Sequence, residues 1–249
     1  MERLVSSEEI GFCQNLLGHS WAKEKLKRLI IEFMAWRGPG GASDLDAKKK
    51  FLQWRSEQHP FTVIKDTRNH IRLIDDHHGF YSFYYFAEEK PFLLKVQVAI
   101  DFSKGDWTDK KMMEYLAQEQ KIFIENCPSP SLADLQSIPE RISDIKDAPE
   151  RSIVSMLFES FDVPMKGYDF VPFIQFLFAQ HLRSIGQSIP PRALTSPATL
   201  ENLKESVLHS ESALTFLRDH VGDKTSEIRQ LQVRTFFAAR LAELNEGRE

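Results

Sequence analysis

The sequence predicts an α/β (α+β) chain: a small strand-bearing core at roughly residues 55–105, preceded by helices and followed by a mostly helical region. Three observations carry that prediction. Apolar residues before residue 58 recur at helical spacing. The period then switches to two, most clearly where Leu94, Val96, Val98, Ile100 and Phe102 alternate with Lys95, Gln97, Ala99 and Asp101. After Asp106 the strand signals stop. The expected organisation is an α/β domain with N-terminal helices over 1–107, and a helical extension packed on it over 108–249.

The first helix is expected from about Trp21 to Trp36, with Leu26, Leu29, Ile30, Phe33 and Met34 on its buried face. Arg37-Gly-Pro-Gly-Gly-Ala-Ser breaks it, and Asp44 can cap a second helix that His59-Pro60 ends. Phe61–Asp66 and Ile71–Asp75 read as strands joined by a polar turn at Thr67-Arg68-Asn69. Phe80, Phe83, Tyr84 and Ala87 then fall at i, i+3, i+4 and i+7, the spacing of a helix buried on one side. Thr108 can cap a helix to about Glu125, and Pro128-Ser-Pro-Ser marks a loop. Further helices are expected at about 150–161, 170–185, 199–209, 211–221 and 226–246.

Composition narrows the function classes. Hydrophobic residues at 42% and charged residues at 27% describe an ordinary folded chain rather than a disordered one. The net charge of −4 lacks the basic excess with which proteins grip duplex DNA. Lys23, Lys25, Lys27 with Arg28, and Lys48, Lys49 with Lys50, read as solvated helix faces. Two cysteines, Cys13 and Cys127, suggest no secreted disulfide framework. The N-terminus lacks the order of a signal peptide, and the apolar stretch near Val171–Ala179 is too short to span a bilayer. A cytoplasmic protein without a membrane partner is expected.

Candidate chemistry concentrates in Ile74-Asp75-Asp76-His77-His78-Gly79, where a strand runs into a helix. A helix start presents free N–H groups and the positive end of its dipole, which suit phosphate. A neighbouring aspartate can carry Mg²⁺, and a histidine can donate to phosphate or move a proton. The competing structural reading has Asp76 capping the helix while the histidines satisfy local backbone groups. Zinc is disfavoured, because adjacent histidines do not make an i, i+4 pair and no cysteine is suitably spaced. The sequence has no P-loop, G-x-G-x-x-G or G-x-S-x-G motif.

At these residues the chain resembles the ParB-like nuclease family of the ParB/sulfiredoxin superfamily, whose hallmark is a strand ending in Asp-His-His-His or Asp-Gly-His-His-Arg before a helix. Further blocks agree in order. Leu17-Gly18 with Lys25 is similar to the family's early Val-Gly…Lys segment, and His59–Ile64 to its first core strand. Val96–Ser103 resembles a strand ending in Asp-x-Ser. Asp147–Ser152 resembles Asp-Asp-Pro-Tyr-Arg-Ser, and Phe173–Arg183 resembles Phe-x-Glu-Phe-x-Trp-Ala-x-x-x-Arg.

The resemblance implies a ParB/sulfiredoxin-like mixed-sheet core with a helical extension, and a loop that holds a nucleotide phosphate chain. It implies ATP, ADP or CTP with Mg²⁺, and phosphotransferase or phosphohydrolase chemistry on a small-molecule or protein substrate. Asp75 would be the catalytic and metal carboxylate, with Asp76 beside it on the metal. His77 would contact phosphate or act as acid/base, and His78 with the Gly79 amide would complete the anion pocket. Lys25, Arg72 and Arg151 would be cationic donors from outside the loop. Gly79 stands where superfamily members often place a phosphate-binding arginine, so phosphate affinity must rest on backbone N–H groups and a donor from another segment. Two alternatives stand beside this reading: a DNA-associated ParB-like nuclease, and a catalytically degenerate interaction module.

Overall fold

The computed structural model describes residues 1–125, 127, 129–148, 151, 152, 154, 174–186, 210–213, 215 and 216. The expected helices at 199–209 and 226–246, and most of that at 150–161, lie outside the described residues. The chain divides into two compact units, Met1–Asp147 and Ala148–Glu249.

In the first unit, β1 (Glu2–Ser6), β2 (Ile10–Phe12), β4 (Phe61–Lys65), β5 (Ile71–Leu73) and β6 (Leu93–Asp101) form one mixed sheet, with β3 (Leu16–Leu17) between β2 and the first helix in the chain. The sheet order is β1-β6-β4-β5-β2. β1 runs antiparallel to β6, β6 parallel to β4, β4 antiparallel to β5, and β5 parallel to β2. A bulge between Val63 and Ile64 keeps both side chains fully buried, though they are sequence neighbours.

The helices are α1 (His19–Arg37), α2 (Leu45–Gln58), α3 (His77–Phe86), α4 (Asp109–Gln118) and the short α5 (Leu132–Gln136). Asp44 caps α2 by accepting from the Ala47 N–H, and Thr108 caps α4 by accepting from the Lys111 N–H, as the sequence leads one to expect. β7 (Lys146–Asp147) pairs in parallel with β3. α6 (Ile174–Ser184) belongs to the second unit.

The abundance of phenylalanine is explained by the core. Phe80, Phe83 and Phe86 of α3 meet Phe12, Phe61, Phe51 and Phe33 from β2, β4, α2 and α1, mostly edge-on at 5.1–5.8 Å between ring centres. Edge-to-face pairs add to simple area burial. Ser56 ties α2 to the sheet, its Oγ accepting from the Lys95 N–H at 2.8 Å.

Four expectations are corrected. Both sheet edges come from residues 2–12, where no strands were expected; they are strands of five and three residues, too short to show a period. On α1, Leu29 and Phe33 are buried, but Ile30 and Met34 are 44% and 50% exposed. Each sits one residue, about 100° of helix rotation, beyond the buried stripe. α4 ends at Gln118 rather than near Glu125, because Gln120 turns left-handed at φ 50° and 122–124 run beside 13–15. β5 ends at Leu73 rather than Asp75, so Asp75 and Asp76 lie in the turn between β5 and α3.

Candidate functional site

The start of α3 is built around Asp76. Its backbone is left-handed at φ 52°, ψ 41°, a region that aspartate tolerates better than most side chains. From there the Asp76 carboxylate folds back over the first turn and accepts the Gly79 N–H at 3.1 Å. The same carboxylate oxygen receives the Lys25 ammonium of α1 at 2.6 Å, both side chains being half-exposed. Asp75, exposed, accepts the Asp76 N–H at 2.7 Å and so shapes the turn into the helix.

Gly79 is glycine for reasons of space. A Cβ there would lie 2.6 Å from Asp76 Cγ and 2.8 Å from Oδ1, and closer still to Oδ2, so its three nearest atoms all belong to Asp76. The volume in which an arginine at this position would begin is filled by the chain's own carboxylate.

The two histidines lie inward of this surface. His77 and His78 are buried, 4% and 6% exposed. His78 Nε2 accepts the Gly18 N–H at 3.2 Å, which leaves the proton of the neutral ring on Nδ1 and joins the start of α3 to the start of α1. His77 packs against Phe12 with ring centres 6.0 Å apart.

The start of α1 lies beside this junction and is also closed by a carboxylate. Asp147 of β7 accepts the His19 N–H at 3.0 Å, and His19 Nε2 donates to the Ile145 carbonyl at 2.9 Å. The His19 ring lies 5.0 Å from that of Tyr81, whose hydroxyl is pushed well above the usual tyrosine range by burial and its hydrogen bond with Tyr85. His19, Tyr81 and the capping role of Asp147 were not anticipated; the Asp147 contact spans 128 residues and has no local signature.

The structure therefore brings Lys25, Asp75, Asp76 and Gly79 together, with His78 beneath them. Arg72 is engaged elsewhere: its Nε donates at 3.0 Å to Asp66, a 2% exposed carboxylate that also accepts the Arg68 and His70 N–H groups and so organises the β4–β5 turn. Arg151 is buried in the second unit, where burial draws its guanidinium down to about 9, still charged at neutral pH. Cys13 is an inert core thiol, burial pushing it up to about 12. Among the described residues no group of three or more His, Cys, Asp or Glu is placed to hold a metal ion, and no helix is long and apolar enough to cross a membrane.

Fold and junction together define a small mixed-sheet α/β protein in which a lysine-paired aspartate caps the helix that follows a short strand. The chain belongs to the ParB-like nuclease family, whose model matches residues 14–184, well over half of the chain. The crystal structure of protein Atu1540 from Agrobacterium tumefaciens superposes with a TM-score of 0.58 at 18% identity, covering 86% of this chain and 94% of that one. That likeness shows a shared fold. No curated protein matches the sequence.

Tested against these residues, a nucleotide phosphate finds its charge requirements met and its space taken. An ammonium, a helix-end amide and a dipole suit one anionic group, and Asp76 is that group.

Proposed function

We propose that this ParB-like protein recognises a phosphate ester at the junction of α1 and α3, as a nucleotide-dependent phosphotransferase or phosphohydrolase. One observation carries the reading: an anionic oxygen sits between the Lys25 ammonium and the Gly79 N–H at the start of α3. An anion at that point is stabilised by the ammonium and the helix end together. Asp75, exposed beside it, is the carboxylate available to Mg²⁺, which takes one or two protein carboxylates and completes its shell with phosphate oxygens and water. Bound Mg²⁺ would neutralise phosphate charge there. Lys25 orients the ester, and His78 holds the two helix starts at fixed separation through Gly18.

The family description supports a second carrier for the same phosphate, a DNA strand cut by a nuclease. The net charge of −4 favours the small ester, since duplex binding rests on a run of cationic contacts.

Calorimetric titration of the full chain with ATP, ADP and CTP plus Mg²⁺, in the parent and in Lys25→Ala, tests the proposal. Millimolar or tighter binding that Lys25→Ala weakens at least tenfold is the expected result. Equal binding by the two proteins would refute it. Salt-resistant binding of duplex DNA in place of nucleotide would move the assignment to the nuclease.

A further inference from the structure

We infer that the open edge of the sheet is a self-association surface: two copies of this chain join β1 to β1, antiparallel, about a two-fold axis at Leu4, and so make one continuous sheet.

The premise is the direction of the backbone groups of β1. In an antiparallel ladder alternate residues bond to the neighbouring strand and those between them point away. The Val98 N–H donates to the Met1 carbonyl at 2.8 Å and the Ser7 N–H to the Phe92 carbonyl at 2.9 Å. Arg3 and Val5, set against Val96 and Leu94, therefore face β6 as well. Glu2 and Leu4 present their N–H and C=O groups outward from the last strand of the sheet, and no described residue bonds to them.

Sheet edges are ordinarily guarded by charge, by proline or by a covering segment. At the other side of this sheet, where β2 runs on into 13–15, residues 122–124 supply the cover. The middle of β1 has no guard. Leu4 is 50% exposed, and the charge of Glu2 is drawn onto Lys95 of β6 at 2.6 Å. Leu93, also 50% exposed, is the Cα partner of Ser6 and lies on the face of Leu4.

The occupant is a second copy because the strand is complementary to itself. With Leu4 opposite Leu4 of the second copy, their outward N–H and C=O groups exchange two hydrogen bonds at the axis. Arg3 then falls opposite Val5 and Glu2 opposite Ser6, so no like charges meet. Moving the axis to Arg3 would set two guanidinium side chains against each other. Leu4 and Leu93 of both copies form an apolar strip across the axis. Two short strands make a small contact, so the dimer is expected to dissociate on the order of 100 µM or somewhat below.

Sedimentation equilibrium of the full chain up to about 0.5 mM, beside Leu4→Pro, tests this. The Leu4 N–H takes no part in the ladder to β6, and proline is tolerated in an edge strand whose N–H faces outward. Leu4→Pro thus removes the docking bond and keeps the fold, which circular dichroism checks. The parent is expected to approach twice the monomer mass, and Leu4→Pro to need at least about tenfold more protein to do so. Oxidative trapping reads the register separately, in a Cys127→Ser background because Cys127 is partly exposed. At the axis the two Leu4 Cα atoms stand about 5.5 Å apart, within reach of a disulfide. The two Glu2 residues are offset by four positions, about 14 Å. Leu4→Cys should yield a covalent dimer and Glu2→Cys should not. A parent that stays monomeric throughout overturns the inference, as does a dimer that Leu4→Pro leaves intact, or equal trapping at positions 2 and 4.

Discussion

Gly79→Ala is the substitution whose sign the structure reverses. Gly79 lies in the first turn of α3 with a helical backbone, and alanine at such a position ordinarily stabilises a helix by about 0.5–1 kcal/mol. Here the new methyl would meet Asp76 Cγ at 2.6 Å, so the carboxylate must leave. Its departure removes the side-chain cap, costing about 1 kcal/mol, and a half-exposed ion pair contributing about 0.2–1 kcal/mol. The gain from alanine offsets only part of this, leaving Gly79→Ala destabilising by roughly 0.5–1 kcal/mol. With Asp76→Gly already in place the methyl has no carboxylate to displace, and the same change should stabilise by about 0.5–1 kcal/mol. A four-protein cycle followed by urea unfolding should thus show a coupling of about 1–2 kcal/mol. Equal effects of Gly79→Ala in the two backgrounds, or stabilisation in the parent, would refute the account of why glycine stands at this position.

Three further outcomes are expected. His78→Ala leaves the Gly18 N–H without its acceptor and should lower stability by at least about 1–3 kcal/mol, shifting the urea midpoint, with His78→Gln recovering part of it. Asp66→Ala strips the partner from Arg72, a 12% exposed guanidinium, and from two turn amides; a loss of about 3 kcal/mol is expected, with no change in phosphate-ester affinity, since Arg72 is engaged away from Asp76. Asp101 is held below the usual carboxylate range, chiefly by its hydrogen bond with Ser103 and then by Lys104 and Lys65. A depressed folded-state pKa adds stability that is present above the ordinary value near 3.9 and is lost as pH falls through the folded value, so Asp101→Asn should flatten the acid limb of the stability profile below about pH 4.

The sequence by itself determined the elements whose causes are local. Asp44 and Thr108 announce their helices because an N-cap acts within three residues. The run from Leu94 to Phe102 declares its strand because alternate side chains face opposite sides, and the aromatic spacing after His78 declares α3. The motif around Asp75–Gly79 was legible as a strand-to-helix junction, because the hydrophobic period changes there. Tertiary structure alone decided what those residues do. It set β1 and β2 at the sheet edges, segments too short to carry a period, and it turned Ile30 and Met34 outward by fixing which stripe of α1 meets α3. It gave Arg72 to Asp66, capped α1 with a carboxylate 128 residues away, and set Lys25 and Gly79 around Asp76. Those pairings join groups from separate elements at distances of about 3 Å, and a one-dimensional pattern holds no record of which elements the core will bring that close.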